Sequence, residues 1–184
     1  MKKVEHGKTF DRNAANPPAF EIFHNTVTEG YPEHWHTAIE IIMPTRGEYE
    51  VVVGKDSYNL KEGDIIMINS GVVHGMRFVS QGERIVMLVE PGCVENQEEM
   101  ETIFLRLPAI YFKKEDEEDP FYLFLRSQIL ELVREYDNEG AVMTHRICTG
   151  LKELFSEFGR KGFSDANAQN TFGAMKQQIG RAHV

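Results

Sequence analysis

The sequence predicts a mainly β fold with an α-helical addition: a small antiparallel barrel or sandwich followed by an amphipathic helical hairpin. Three observations carry this reading. Between residues 20 and 91 the chain is a series of short runs rich in Ile, Val, Phe and Tyr, each closed by turn residues. After Pro91-Gly92 the apolar period lengthens from that of strands to that of helices. Nowhere does a strand-like run alternate with a long helical one, which argues against a parallel, doubly wound sheet.

Taken in order, residues 1–19 are polar, contain Asn16-Pro17-Pro18 near their end, and read as an arm. Strands are expected over 20–23, 38–43, 49–53, 58–60, 64–68, 73–79 and 84–89. Turns separate them at Arg46-Gly47, Gly54-Lys55-Asp56, Glu62-Gly63-Asp64, Asn69-Ser70-Gly71 and Ser80-Gln81-Gly82. Met43, Met67, Met76 and Met87 read as filling between them. Met100, Ile103, Phe104 and Leu107 then mark one face of a helix ended by Pro108. The charge run over 113–119 reads as a solvated loop. Asp119-Pro120 reads as an N-cap followed by proline at the first helical position. Leu125, Ile129, Leu132, Val133 and Tyr136 form the stripe of that helix. Ile147, Leu151, Leu154, Phe155 and Phe158 form the stripe of the next, with Gly159 and Gly162 as stop signals.

Each stripe either packs on the sheet or meets a second copy of the chain. Three apolar helical faces exceed what one small barrel needs to cover it, so a homodimer with the hairpin over 120–160 as its seam is the expectation. The resulting map is an arm over 1–19, a barrel over 20–92, a helical dimerisation and coupling segment over 93–162, and a remnant over 163–184.

Composition narrows the function classes. The chain has 184 residues, which is room for one domain with a sizeable core. Its 20 basic and 29 acidic residues give a net charge of −9, a poor balance for gripping a phosphate backbone. No apolar run approaches the roughly 20 residues that span a bilayer, and the N-terminus lacks the apolar stretch of a secretory signal. No membrane partner and a cytoplasmic location are therefore expected. Cys93 and Cys148 stand far apart without a flanking base, so they read as neither a disulfide framework nor a nucleophile. His24 and His145 stand alone.

The chemistry-bearing residues lie in the strand region. His34, His36 and Glu40 share parity and would point to one side of a strand, and His74 opens another strand. Three imidazoles and a carboxylate can hold a divalent first-row metal. They can equally line a polar pocket or pair with one another. The spacing His-x-His-x3-Glu-x6-Gly is met by His34, His36, Glu40 and Gly47, and a second motif by Gly63, Gly71 and His74.

With these two motifs the sequence resembles the cupin superfamily, which implies a double-stranded β-helix, or jelly-roll barrel. Asn69 stands where cupins usually show proline, and Phe78 where they show asparagine. A narrower resemblance covers roughly residues 20–160. The runs EHWHTAIEIIMP, over 33–44, and YNLKEGDIIMI, over 58–68, are similar to the N-terminal effector-binding domain of AraC-family transcription regulators. That resemblance implies a cupin sensor for a small-molecule effector, sugars being the best-known class. It also implies helices that dimerise, and DNA binding through a separate C-terminal domain with two helix-turn-helix motifs. Nothing after residue 160 reads as such a domain, and IGRAHV over 179–184 looks like translated adapter sequence, so the natural chain is expected to continue differently.

The sequence thus predicts a ligand-sensing, dimerising domain and no enzyme, with His34, His36, Glu40 and His74 binding the ligand. No cofactor is expected. A divalent metal at the same four residues stays open, as does the alternative of a metal-dependent cupin enzyme such as a dioxygenase or isomerase.

Overall fold

The computed structural model describes residues 19–27, 29–93, 108–114, 118–138 and 140–161. The arm over 1–18, the helix expected to carry Met100 to Leu107, and the stretch over 163–184 lie outside the described residues. The strands are β1 (Phe20–Val27), β2 (Tyr31–His34), β3 (Ile39–Arg46), β4 (Tyr49–Val53), β5 (Asp56–Leu60), β6 (Ile65–Ile68), β7 (His74–Phe78), β8 (Gly82–Val89) and β9 (Ala109–Phe112). A 3-10 turn, Pro91–Cys93, follows β8, and two helices come last: α1 (Pro120–Asp137) and α2 (Met143–Lys161).

The strands form two antiparallel sheets, one in the order β1-β8-β3-β6-β9 and the other β2-β7-β4-β5. Between them Ile42, Ile66 and Ile68 of the first sheet meet Val51, Val53 and Leu60 of the second. The other face of the five-stranded sheet does not meet solvent. There Ile39, Ile41, Met43, Ile65, Met67 and Met87 join the buried side of both helices in one cluster. β3 is therefore buried on both faces, which is why its sequence runs almost continuously apolar instead of alternating.

This arrangement corrects the expected use of the helical stripes. Leu125, Ile129, Leu132, Ile147, Leu151 and Leu154 are all buried within a single chain. The seam assigned to a second copy is covered by the chain's own five-stranded sheet. Tyr136, at the end of the first stripe, packs edge-on to Phe20 of β1 with ring centroids 6.2 Å apart. The helices meet at Gly150, where a Cβ would lie 2.9 Å from Leu132 Cδ2 and the leucine side chain would have to turn aside.

Helix boundaries follow the capping chemistry at one end and depart from it at the other. The Asp119 side chain accepts a hydrogen bond from the Phe121 backbone N–H at 2.8 Å, and Pro120 occupies the first turn, where no N–H is needed. α2 continues through Gly159 to Lys161, so Gly159 does not stop it.

Two strands were not legible as such. β2 is a four-residue edge strand, largely exposed, with Pro32 inside it, a position an edge tolerates. β9 lies within the segment read as helical over 93–162 and pairs with β6 from Ile65↔Phe112 to Ile68↔Ala109. Its Ile110 and Phe112 face the helices while Ala109 faces the inter-sheet core, an alternation too short to register as a period. Buried Asp64 fastens this added edge. Its carboxylate accepts from the Tyr111 hydroxyl at 2.6 Å, the Lys114 N–H at 2.8 Å and the Lys61 N–H at 2.9 Å.

Candidate metal and effector site

The four candidate residues converge, but not along one strand as shared parity implied. β2 ends at His34 and β3 begins at Ile39, so residues 35–38 cross from the four-stranded sheet to the five-stranded one. His34 pairs with His74 across β2 and β7, while Glu40 enters from β3. The crossing brings them together: one ligand atom from each of His34, His36, Glu40 and His74 lies within 4.8 Å of the others. The two motifs are also tied through backbone, since the Gly71 N–H donates to the His36 carbonyl at 2.8 Å. Gly71 does so at φ +73°, where a side chain would be strained. Trp35, between the histidines, points away and is 54% exposed.

Hydrogen bonding assigns the ring nitrogens. His34 Nδ1 lies 3.0 Å from the Pro32 carbonyl, His36 Nδ1 2.9 Å from the Ala38 carbonyl, and His74 Nδ1 2.8 Å from the Val72 carbonyl. A carbonyl oxygen only accepts, so each Nδ1 carries a proton and donates. That leaves each Nε2 as the variable atom, and two of them face the same carboxylate oxygen. Glu40 Oε2 is 3.1 Å from His36 Nε2 and 2.8 Å from His74 Nε2.

Burial of Glu40 opposes its ionisation, yet bonds from His36 and His74 hold its carboxyl far below the usual range. Desolvation pulls the His74 imidazole down, and the hydrogen bond and charge of Glu40 outweigh it and raise it above its ordinary value. Burial pulls the His34 imidazole down. A bare Nε2 facing an ionised carboxylate would set lone pair against lone pair. For His74 the contact with ionised Glu40 favours the protonated ring, whereas burial of His34 favours the neutral one.

The same atoms fit a divalent first-row cation. Anchoring Nδ1 on a neighbouring carbonyl is the usual way a protein fixes a ligating imidazole. The donor set is three nitrogens and one oxygen, which suits such ions.

Sequence reasoning missed a groove of about 360 Å³ along β2 and β7, lined by Tyr31, Glu33, Val52, Gly75, Arg77 and Phe78 among others. Tyr31 links the two features, its ring lying 4.7 Å from that of His34. Gly75 is the residue whose presence could have pointed to it. A Cβ there would come within 3.1 Å of the Glu33 backbone nitrogen, so a side chain would push β2 away from β7 by a few tenths of an ångström. Arg84 was missed as well. Its inward position on β8 buries the guanidinium over the Tyr49 ring, 5.5 Å from the centroid.

Residues 25–90 match the family model described as a cupin domain. The barrel has the cupin fold. No curated protein sequence matches the chain. Among solved structures, apo ToxT from Vibrio cholerae is similar at 11% identity and TM-score 0.52, over 79% of this chain and 58% of that one. An oxalate decarboxylase from Bacillus subtilis is similar at 16% identity and TM-score 0.36, over 39% of this chain and 21% of that one. A cupin-2 domain protein from Shewanella frigidimarina is similar at 16% identity and TM-score 0.37, over 41% of this chain and 76% of that one. At 11% identity the likeness to ToxT speaks to the fold alone. The cupin motif residues of this chain are the four that converge, and its departures at Asn69 and Phe78 lie outside the converging set.

Proposed function

We propose that this chain is the effector-sensing part of an AraC-like transcription regulator. Its effector is recognised at His34, His36, Glu40 and His74, and the helical hairpin relays occupancy. One observation carries the reading: the strand that delivers Glu40 to the site is the strand the helices sit on. Glu40 faces inward from β3, while its neighbours Ile39 and Ile41 are buried against the cluster containing Leu125, Ile129 and Leu151. A shift of β3 on binding is felt directly by the hairpin, because a close-packed interior transmits displacement. The likeness to ToxT supports treating barrel and helices as one unit, since it extends over 79% of this chain, well past the matched cupin residues.

A divalent cation would be held by Nε2 of His34, His36 and His74 with Glu40 Oε2. When bound it would supply a Lewis-acidic centre for an anionic or hydroxyl-bearing effector. The protein's part is to fix each imidazole through its carbonyl partner and to keep Glu40 ionised by burying it against donors. The same donor set supports a second reading, a metal-dependent cupin enzyme.

Hydrogen–deuterium exchange, after a thermal-shift screen of sugars and organic acids with and without added metal, separates the two. A sensor slows exchange in β3, α1 and α2 when a ligand binds, and Glu40→Gln abolishes the response. Binding that leaves the helices unchanged, or steady turnover of a bound acid, overturns the sensor reading.

A further inference from the structure

Cys93 and Cys148 are 55 residues apart in sequence, yet their Sγ atoms lie 3.5 Å apart. Both are free thiols at half-buried positions. Cys93 ends the 3-10 turn after β8 and packs against the outer cluster of the five-stranded sheet. Cys148 lies on α2 between Ile147 and Leu151, both fully buried in that same cluster. Each sulfur is thus carried by an element whose place is fixed by packing.

We propose that Cys93 and Cys148 are a modification site: they form an intramolecular disulfide by exchange with a low-molecular-weight disulfide, tying the end of β8 to α2. A disulfide needs sulfurs about 2.05 Å apart. The two sulfurs stand 3.5 Å apart, so about 1.5 Å of approach separates them from that bond.

The exchange balances in two steps. The Cys148 thiolate attacks one sulfur of oxidised glutathione, and a glutathione thiolate leaves and takes up a proton. Cys93 then loses its proton and attacks the Cys148 sulfur of the mixed disulfide, and the second glutathione leaves as a thiol. The protein loses two hydrogens, and the small disulfide is reduced to two thiols. Burial, together with the neighbouring Cys148 thiol, pushes the Cys93 thiol up to about 11, with Lys152 opposing. Cys93 must lose its proton before it can resolve the mixed disulfide, so that step quickens as pH rises.

The cross-link would join the turn after β8, the strand paired with β3, to the helix proposed to relay occupancy. The chemistry itself does not depend on that reading, and its test uses no effector. The full chain is incubated with oxidised glutathione and analysed by intact mass and non-reducing peptide mapping. The expected result is loss of two hydrogens, one cross-linked peptide pair containing Cys93 and Cys148, and a melting temperature raised by roughly 5 to 10 °C and reversed by dithiothreitol. Cys93→Ser and Cys148→Ser each abolish the rise. Glutathione retained on either cysteine of the unsubstituted chain, cross-links between chains, or unmodified thiols would overturn the proposal.

Discussion

Glu40 accepts from two imidazoles through one oxygen, and that sharing sets how the metal-free chain responds to pH. The carboxyl pKa is depressed in the fold, so its contribution is complete above its ordinary value of 4.5 and is lost as pH falls through the folded value. The His74 pKa is raised, so its contribution is complete below its ordinary value of 6.5 and is lost as pH climbs through the folded value. In chelator, the pair's contribution is expected to be greatest between about pH 4.5 and 6.5. His34, pulled down by burial, works in the opposite sense on the acid side. Urea melts across pH check this: Glu40→Gln should flatten the profile, and an unchanged profile would contradict the shared-oxygen account. A divalent ion must displace a proton from His74 Nε2 wherever that ring is protonated, so its affinity should rise by about tenfold per pH unit for each proton displaced. Calorimetric titration in buffers of different ionisation enthalpy counts those protons. Elsewhere, Asp64→Ala removes the acceptor of three donors and should cost about 2 to 3 kcal/mol in urea denaturation, loosening β9 first. At this scale the cluster residues were legible because the motif spacing names them. Their geometry was not, since parity along one strand cannot reveal that the chain changes sheets between His34 and Glu40.

The hairpin's place in the fold depends on which surface its stripes cover. Leu151 is fully buried between α2 and the sheet. Leu151→Ala should therefore cost about 2 to 5 kcal/mol, and Leu151→Asp should unfold the chain, not divide a folded dimer into folded monomers. Urea denaturation read alongside sedimentation distinguishes the two: soluble, folded monomers of the aspartate variant would restore the seam reading. The elements were legible to very different degrees. β3, β4 and β6 announce themselves because long β-branched runs bounded by glycine turns have few other conformations open to them. α1 announces itself through Asp119-Pro120. β9 was not legible, because Pro108 and four apolar residues suit a helix end as well as an edge strand, and only pairing with β6 decides between them. The stripes were seen, but their partner was not. Amphipathicity reports that a face must be covered and carries no information about whether the cover is the same chain.

The whole chain carries a net charge of −9, and this bears on the regulator reading independently of any site. Duplex DNA binds proteins largely by releasing counterions to lysine and arginine, and even non-specific complexes at physiological salt have dissociation constants of about 10⁻⁴ to 10⁻⁶ M. Among the described residues, Arg46, Arg77, Arg134 and Arg146 are each paired with a glutamate, which weakens their pull on phosphate. Arg84 is buried beneath the barrel surface. The two described helices present their apolar faces to the sheet, so neither is free to enter a major groove by that face. Fluorescence anisotropy with labelled duplexes of varied sequence, from about 50 to 200 mM salt, should find association weaker than the ordinary non-specific range and indifferent to sequence. Effector or metal should leave this unchanged, since neither adds a basic surface to the helices. Tight, sequence-selective binding by the 184-residue chain at physiological salt would mean that DNA is read by the sensor itself. The proposed relay from β3 to the hairpin would then lose its purpose.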